Sequence, residues 1–195
     1  MARRRRFAGV THLDLSTTRV RAATSDDAEA LAGLAALTFP LACPPGASAD
    51  AIAAHVATQL SPDRFRAWAA SAAHALLVVE EPGPPARPLG YALLVVGVPD
   101  DADVADAVGR DEVVELSKIY VHPDAQGTGV AGALLGAALD AATVLAPGRT
   151  LWLGTNGLNA RAQAFYRKHG FVLVGERTYV VGGERHSDVV MVHSA

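Results

Sequence analysis

The stretch Glu115–Leu135, ELSKIYVHPDAQGTGVAGALL, constrains this chain more than any other. Val113 to Val121 is β-branched and aromatic, which is the composition of a strand. His122, Pro123 and Asp124 end that run. Gln126-Gly127-Thr128-Gly129-Val130-Ala131-Gly132 then opens an Ala/Leu-rich helix predicted from Gly129 to Leu145. A strand that feeds a helix through a glycine-rich turn points to an α/β architecture. It also leaves unpaired backbone N–H groups at the positive end of a helix dipole, a place suited to an anion such as a pyrophosphate.

Two loop patterns fit these glycines. Gly127-Thr128-Gly129-Val130-Ala131-Gly132 matches the dinucleotide fingerprint GxGxxG, but its setting is wrong. In a dinucleotide fold the glycines follow the strand directly, and an acid at the end of the next strand holds the ribose. Here five residues separate Val121 from Gly127, and no Asp or Glu occurs between Ala141 and Gly175. The other pattern, Q/R-x-x-G-x-G/A, is met by Gln126, Gly129 and Ala131. A second motif follows, Asn159-Ala-Arg-Ala-Gln-Ala-Phe-Tyr-Arg-Lys-His-Gly-Phe171, in the form N-x-x-A-x-x-F/Y-Y-x-x-x-G-F. Together they make the chain resemble the GCN5-related N-acetyltransferase (GNAT) family. The opening strand, Thr24-x-x-Asp27-Ala28 and the Ala/Leu helix are similar to the start of that domain.

The resemblance implies acetyl-CoA as cosubstrate and direct transfer to an amine acceptor. In the family the pantetheine arm runs along the strand at Ile119, Tyr120 and Val121, pairing with its backbone at Ile119 and Val121. Backbone amides of Gln126, Gly127, Thr128, Gly129, Val130, Ala131 and Gly132 hold the pyrophosphate, with the Thr128 hydroxyl a further donor. Gln126 stands where the family often has arginine, which removes one charge-assisted contact. Asn159 is implied to hydrogen-bond the pantetheine. Small Ala162 lets it approach, Phe165 packs locally, and Tyr166 gives its proton to the departing thiolate. A phenol suits that role beside a sulfur gaining charge.

Strand alternation predicts that Glu115, Ser117, Ile119 and Val121 share one face, with Glu115 about 13 Å from Ile119. Glu115 matches the catalytic glutamate of the histone acetyltransferase branch by its spacing to the loop. As a residue it fits a general base, a substrate contact or a structural acid at a strand end. From Leu151 onwards the chain is similar to the bacterial spermidine/spermine N-acetyltransferase branch. It departs from that branch at Thr155-Asn156-Gly157-Leu158, where a Trp-Glu pair is common. Glu115, Asp188, Asp100, Asp101 and Asp103 are acids that could attract a cationic amine. A protein N-terminus, peptide lysine, amino acid or antibiotic amine, a non-catalytic acyl-CoA-binding domain, and an interaction module acting through Arg3–Arg6 are the alternatives.

With 195 residues, half of them hydrophobic, the chain can bury one good core and suits one domain over residues 18–195. Residues 1–17, with the Arg3–Arg6 run, suit a basic, disordered arm, because no apolar segment of signal-peptide length follows. A net charge of −3 gives no global reason to expect nucleic acid or an anionic membrane. Lone Cys43 suits a reducing, cytoplasmic setting. The seven histidines show no metal spacing, so no metal is expected. The resemblance allows a homodimer without specifying an interface.

In chain order the patterning predicts a strand at Thr18–Ala23, a helix to about Leu37 and a second helix from a Ser48 cap to about Leu60. A short helix over Asp63–Ala73 and paired strands His74–Glu80 and Leu89–Val98 follow. Pro99–Asp106 reads as an acidic loop. Thr150–Gly154 is a strand, Asn159–Gly170 a helix, and Phe171–Val181 with His186–Val192 a hairpin turning at Gly182-Gly183. The expected fold is α/β (α+β) of the GNAT type: a mixed, mostly antiparallel sheet of about seven strands with helices on both faces.

Overall fold

A computed structural model describes residues 18–43, 47–181 and 184–194. The basic arm and the Gly182-Gly183 turn lie outside the described residues. The chain runs β1 (Arg19–Ala22), a 3-10 turn (Ser25–Asp27), α1 (Ala28–Ala42), α2 (Ala49–Gln59), α3 (Pro62–Ala70), β2 (His74–Glu81) and β3 (Arg87–Gly97). It continues through α4 (Ala102–Val108), β4 (Val113–Val121), a 3-10 turn (Pro123–Ala125), α5 (Val130–Leu145), β5 (Leu151–Asn156), α6 (Ala160–Lys168), β6 (Phe171–Val181) and β7 (Glu184–His193). The seven strands form one sheet ordered β1-β2-β3-β4-β5-β7-β6. Every pairing is antiparallel except β4 with β5.

Helices α1, α3, α4 and α5 are laid on the sheet by the apolar residues their period brings together. In α5, Val130, Leu134, Leu135, Ala138 and Ala142 form a buried stripe. That stripe packs on Leu77, Val79, Ala92, Leu94, Val114 and Leu116 of the sheet, with Tyr166 of α6 in the same cluster. On the opposite face, Leu31, Leu34 and Ala35 of α1 and Phe65 and Trp68 of α3 cover Leu76, Val78, Tyr91 and Leu93. Val104 of α4 seals a smaller cluster with Val113, Trp152 and Val190.

Three local expectations change. α1 continues past Leu37 to Ala42 with Pro40 inside its last turn, where the missing N–H removes one helical hydrogen bond just before the helix ends. α3 stops at Ala70, short of Ala73. The stretch expected as an acidic loop contains α4, because Asp101 caps it by accepting from the Val104 N–H at 3.1 Å and Asp103 lies in its first turn. These acids support a helix end.

The fourth change bears on function. Register runs Leu93 to Lys118 and then Leu94 to Leu116, so Ser117 has no partner on β3 and forms a bulge. Alternation therefore slips by one residue within β4. Val114 and Leu116 face the α5 side, and Ile119 and Val121 do too. Lys118, over the Trp68 ring, and Tyr120, stacked on Tyr91, face the α1–α3 side. Glu115 precedes the bulge on the Lys118 and Tyr120 face, not with Ile119 and Val121 as strict alternation predicts.

Candidate active site

β4 and β5 pair only at Val114 with Leu151 and Glu115 with Trp152. Beyond those residues the strands part, and among the described residues the β4 edge from Leu116 to Val121 has no strand partner on the β5 side. Its N–H and C=O groups are thus open to an extended ligand. The parting opens a cleft of about 1020 Å³. Residues 115–121 of β4, Gly154–Asn156 of β5, Gln126, Ala131, Asn159, Ala162, Phe165 and Tyr166 all line it. A separate wall comes from the end of α1 and from α2, including Phe39, Ile52 and His55.

The glycine loop is set by its approach. The His122 N–H donates to Leu89 O at 2.7 Å, and Arg87 pairs with Asp124 at 2.9 Å, so β3 holds the preceding turn. Gly127 and Gly129 have φ of +78° and +98°, in the region side chains avoid, and Gly129 is the residue from which α5 starts. The first N–H closing back in α5 is that of Ala133, onto Gly129 O, which leaves the first-turn N–H groups facing the loop. The Thr128 hydroxyl donates its one proton to Ala125 O at 2.6 Å, so it is a loop brace and not the spare donor expected from sequence. Val130 is fully buried in the core and supplies only its backbone here, while Gly132 packs near His169.

On the second motif, Asn159 is the N-cap of α6, its Oδ1 accepting from the Ala162 N–H at 3.0 Å. Phe165 packs edge-on to Tyr166 at 5.4 Å and against His169 at 4.5 Å. Tyr166 is almost wholly buried, and burial raises its pKa far enough to keep it a phenol at neutral pH. Tyr166 and Glu115 reach the parted strands from opposite sides of the sheet, one with the α5 core and the other beside Lys118.

Burial lifts the pKa of Glu115, opposed by the charges of Arg177 and Lys118 and assisted by Asp100. Burial lowers that of Lys118, with Glu115 pulling it back up and Arg64 adding to the fall. The hydroxyl of Tyr120 is pushed up to about 12 by burial and by Cys43. Asp188 does not stand as a lone acid, since it is buried and pairs with Arg177 at 2.9 Å. Sequence reasoning missed Lys118, Arg161 and Arg177 as cleft residues, whereas Thr155 and Asn156, where the chain departs from the polyamine branch, do line the cleft. Only the bulge brings Lys118 beside Glu115, and pairing between distant strands brings Arg177. Neither leaves a local motif. Among the described residues no group of three or more His, Cys, Asp and Glu is placed to hold a metal ion, and no helix is long and apolar enough to cross a membrane.

Comparison with known proteins agrees with this geometry. Residues 45–171 match the model of the acetyltransferase (GNAT) family. An uncharacterized N-acetyltransferase of Mycobacterium tuberculosis (strain ATCC 25618 / H37Rv) is 42% identical over 166 residues, covering 85% of this chain and 96% of the relative. Among solved structures, the PaiA N-acetyltransferase of Thermoplasma acidophilum in complex with coenzyme A shares the fold at a TM-score of 0.68. It is 16% identical and covers 91% of this chain and 99% of its own. Arabidopsis thaliana NAA60 in complex with acetyl-CoA has the same TM-score at 14% identity, covering 91% and 98%. The chain belongs to the acetyltransferase (GNAT) family, a family of acyl-CoA-dependent N-acyltransferases.

Proposed function

We propose that this protein moves an acetyl group from acetyl-CoA to a primary amine by direct attack, in the cleft between β4 and β5. The parting of those strands after Glu115 and Trp152 carries the reading, because it leaves the unpaired β4 edge leading to the N-terminus of α5. The backbone of Ile119, Tyr120 and Val121 would hold the pantetheine as an added strand, with Ala162 and Asn159 across from it. Residues 126–132 would hold the pyrophosphate through backbone N–H groups. Arg161, which lines the same cleft, offers a cation that Gln126 does not.

When bound, acetyl-CoA supplies a thioester carbon at which the amine forms an N–C bond as the C–S bond breaks. Glu115 takes the proton that the amine must lose, directly or through a water. Tyr166 gives its phenolic proton to the sulfur that leaves. Cys43 is outside this scheme, and burial raises its pKa, the opposite of what a nucleophilic thiol needs.

A polyamine is one such amine, but the cleft is poorly charged for a polycation. Its carboxylates among the described residues are Glu115 and Asp188, the second neutralised by Arg177, against the cations Lys118, Arg161 and Arg177. The test is acetyl-CoA-dependent thiol release over a panel of amino acids, polyamines, aminoglycosides and peptides, corrected for the Cys43 thiol. Turnover with one class is expected. Loss of acetyl-CoA binding together with silence across the panel would sink the proposal.

A further inference from the structure

Lys118 is the charged group that acetyl transfer leaves without a task. The Ser117 bulge turns its side chain onto the Glu115 face of β4, where it lines the cleft. Its ammonium lies 5.2 Å from the centre of the Trp68 ring and 3.5 Å from Ser117 Oγ. No carboxylate among the described residues comes within ion-pairing distance of it. Glu115 is near enough for the two charges to influence each other, yet it is not a contact partner. A half-buried ammonium with only a ring and a hydroxyl beside it is incompletely compensated, and an anion arriving there gains a charge-assisted partner.

The wall facing it has a different character. From α1 and α2 come Phe39, Leu41, Ala42, Ala51 and Ile52, with His55 stacked on Phe39 at 4.4 Å. His55 is held toward its neutral form by burial and by Lys118, so this wall carries no formal charge. Across the cleft stand Glu115 and Lys118, with the Arg177–Asp188 pair, 2.9 Å apart, also in the lining.

We propose that the acceptor is a small zwitterion, an amino acid with an apolar side chain. Its amine is taken by Glu115, its carboxylate by Lys118, and its side chain by the Phe39–Ile52 wall. The inference rests on the reading of the cleft as an acetyl-transfer site.

Turnover of L-leucine, L-phenylalanine, L-glutamate, L-leucinamide and spermidine would be compared in the wild type, Lys118→Met and Lys118→Arg. Leucine and phenylalanine are expected to lead, with kcat/KM for leucinamide lower by roughly tenfold to a hundredfold. In Lys118→Met the leucine-to-leucinamide ratio should fall to about one, while Lys118→Arg keeps most of it. A lysine serving only to pack on Trp68 would leave that ratio unmoved. Leucinamide or spermidine matching leucine in the wild type, or an unchanged ratio in Lys118→Met, overturns the proposal. Calorimetric binding of N-acetyl-leucine and N-acetyl-leucinamide to the CoA-saturated protein separates the two readings. A preference for the acid without turnover of any amine would count against acetyl transfer alone. Turnover with no such preference would count against Lys118 alone.

Discussion

Tyr166 and Glu115 are tuned by the same force to complementary ends. Burial favours the neutral form of each, which in the proposed reaction would keep the tyrosine a proton donor and make the glutamate a better base once ionised. Tyr166→Phe removes one hydroxyl from a well-packed ring, so kcat should fall about 10²-fold or more while the dissociation constant for acetyl-CoA, measured by calorimetry, stays near wild type. An unchanged kcat would end the proton-donor assignment. As the proposed base Glu115 would work only as a carboxylate, and burial raises its pKa above the ordinary value. The wild-type kcat/KM should therefore rise with pH through that raised pKa, and Glu115→Gln should lose the limb along with most of the rate. A limb that persists in Glu115→Gln belongs to another group. Tyr166 could be read from sequence because a whole motif surrounds it. Lys118 could not, because its place in the cleft depends on a bulge that side-chain alternation does not reveal.

Among the elements, β4 and α5 were legible down to their ends, since a β-branched run and an Ala/Leu stripe each have one comfortable conformation. The failures share a physical cause. Asp101 and Asp103 look like loop acids until three residues of backbone turn under Asp101 and make it a cap. Pro40 looks like a stop, yet it is tolerated in a final turn. The α5 start allows a sharp test. Gly129→Ala forces a side chain at φ +98°, which should cost about 1–2 kcal/mol of stability and weaken acetyl-CoA binding. Gly136→Ala, in the interior of α5 with nothing within 4 Å of the new carbon, should stabilise by about 0.5–1 kcal/mol and leave binding alone. Chemical denaturation with ligand titration checks both.

Another element, β1, is fastened by Arg21, which pairs with Asp27 at 2.7 Å and Glu80 at 2.7 Å. The guanidinium holds the Asp27 carboxyl down to about 2. That contribution is complete above the unfolded-state value near 4 and disappears as pH falls through about 2. Asp27→Asn should then cost about 1 kcal/mol at neutral pH, after allowance for solvent screening, with the two proteins converging in acid. A difference that persists well below pH 2 would assign the loss to the turn and not to the charge.

At the scale of the whole molecule, the two helical layers do unequal work. Parted strands, a helix N-terminus and α6 come together on the α5 side through contacts within the core, and acetyl-CoA is expected to tie them together. Saturation at a hundred times its dissociation constant should add about 2.7 kcal/mol, or roughly 5–10 °C in Tm for a domain of this size. An unshifted Tm would mean that the cleft does not bind it. The C-terminal half announced itself through motifs because backbone approach to a fixed ligand restricts residue choice. The α1–α2 wall proposed to meet the acceptor did not, since apolar residues from two helices satisfy it in many combinations.

That wall includes α2, which has no fully buried residue along its length. Most single substitutions on it should therefore cost the fold within about 0.5 kcal/mol, whereas the Leu134, Leu135 and Phe171 neighbourhood tolerates almost none. Substrate preference can thus drift in a lineage without passing through an unstable ancestor. Libraries confined to α2 are accordingly the place to evolve a new acceptor while the donor half is left untouched.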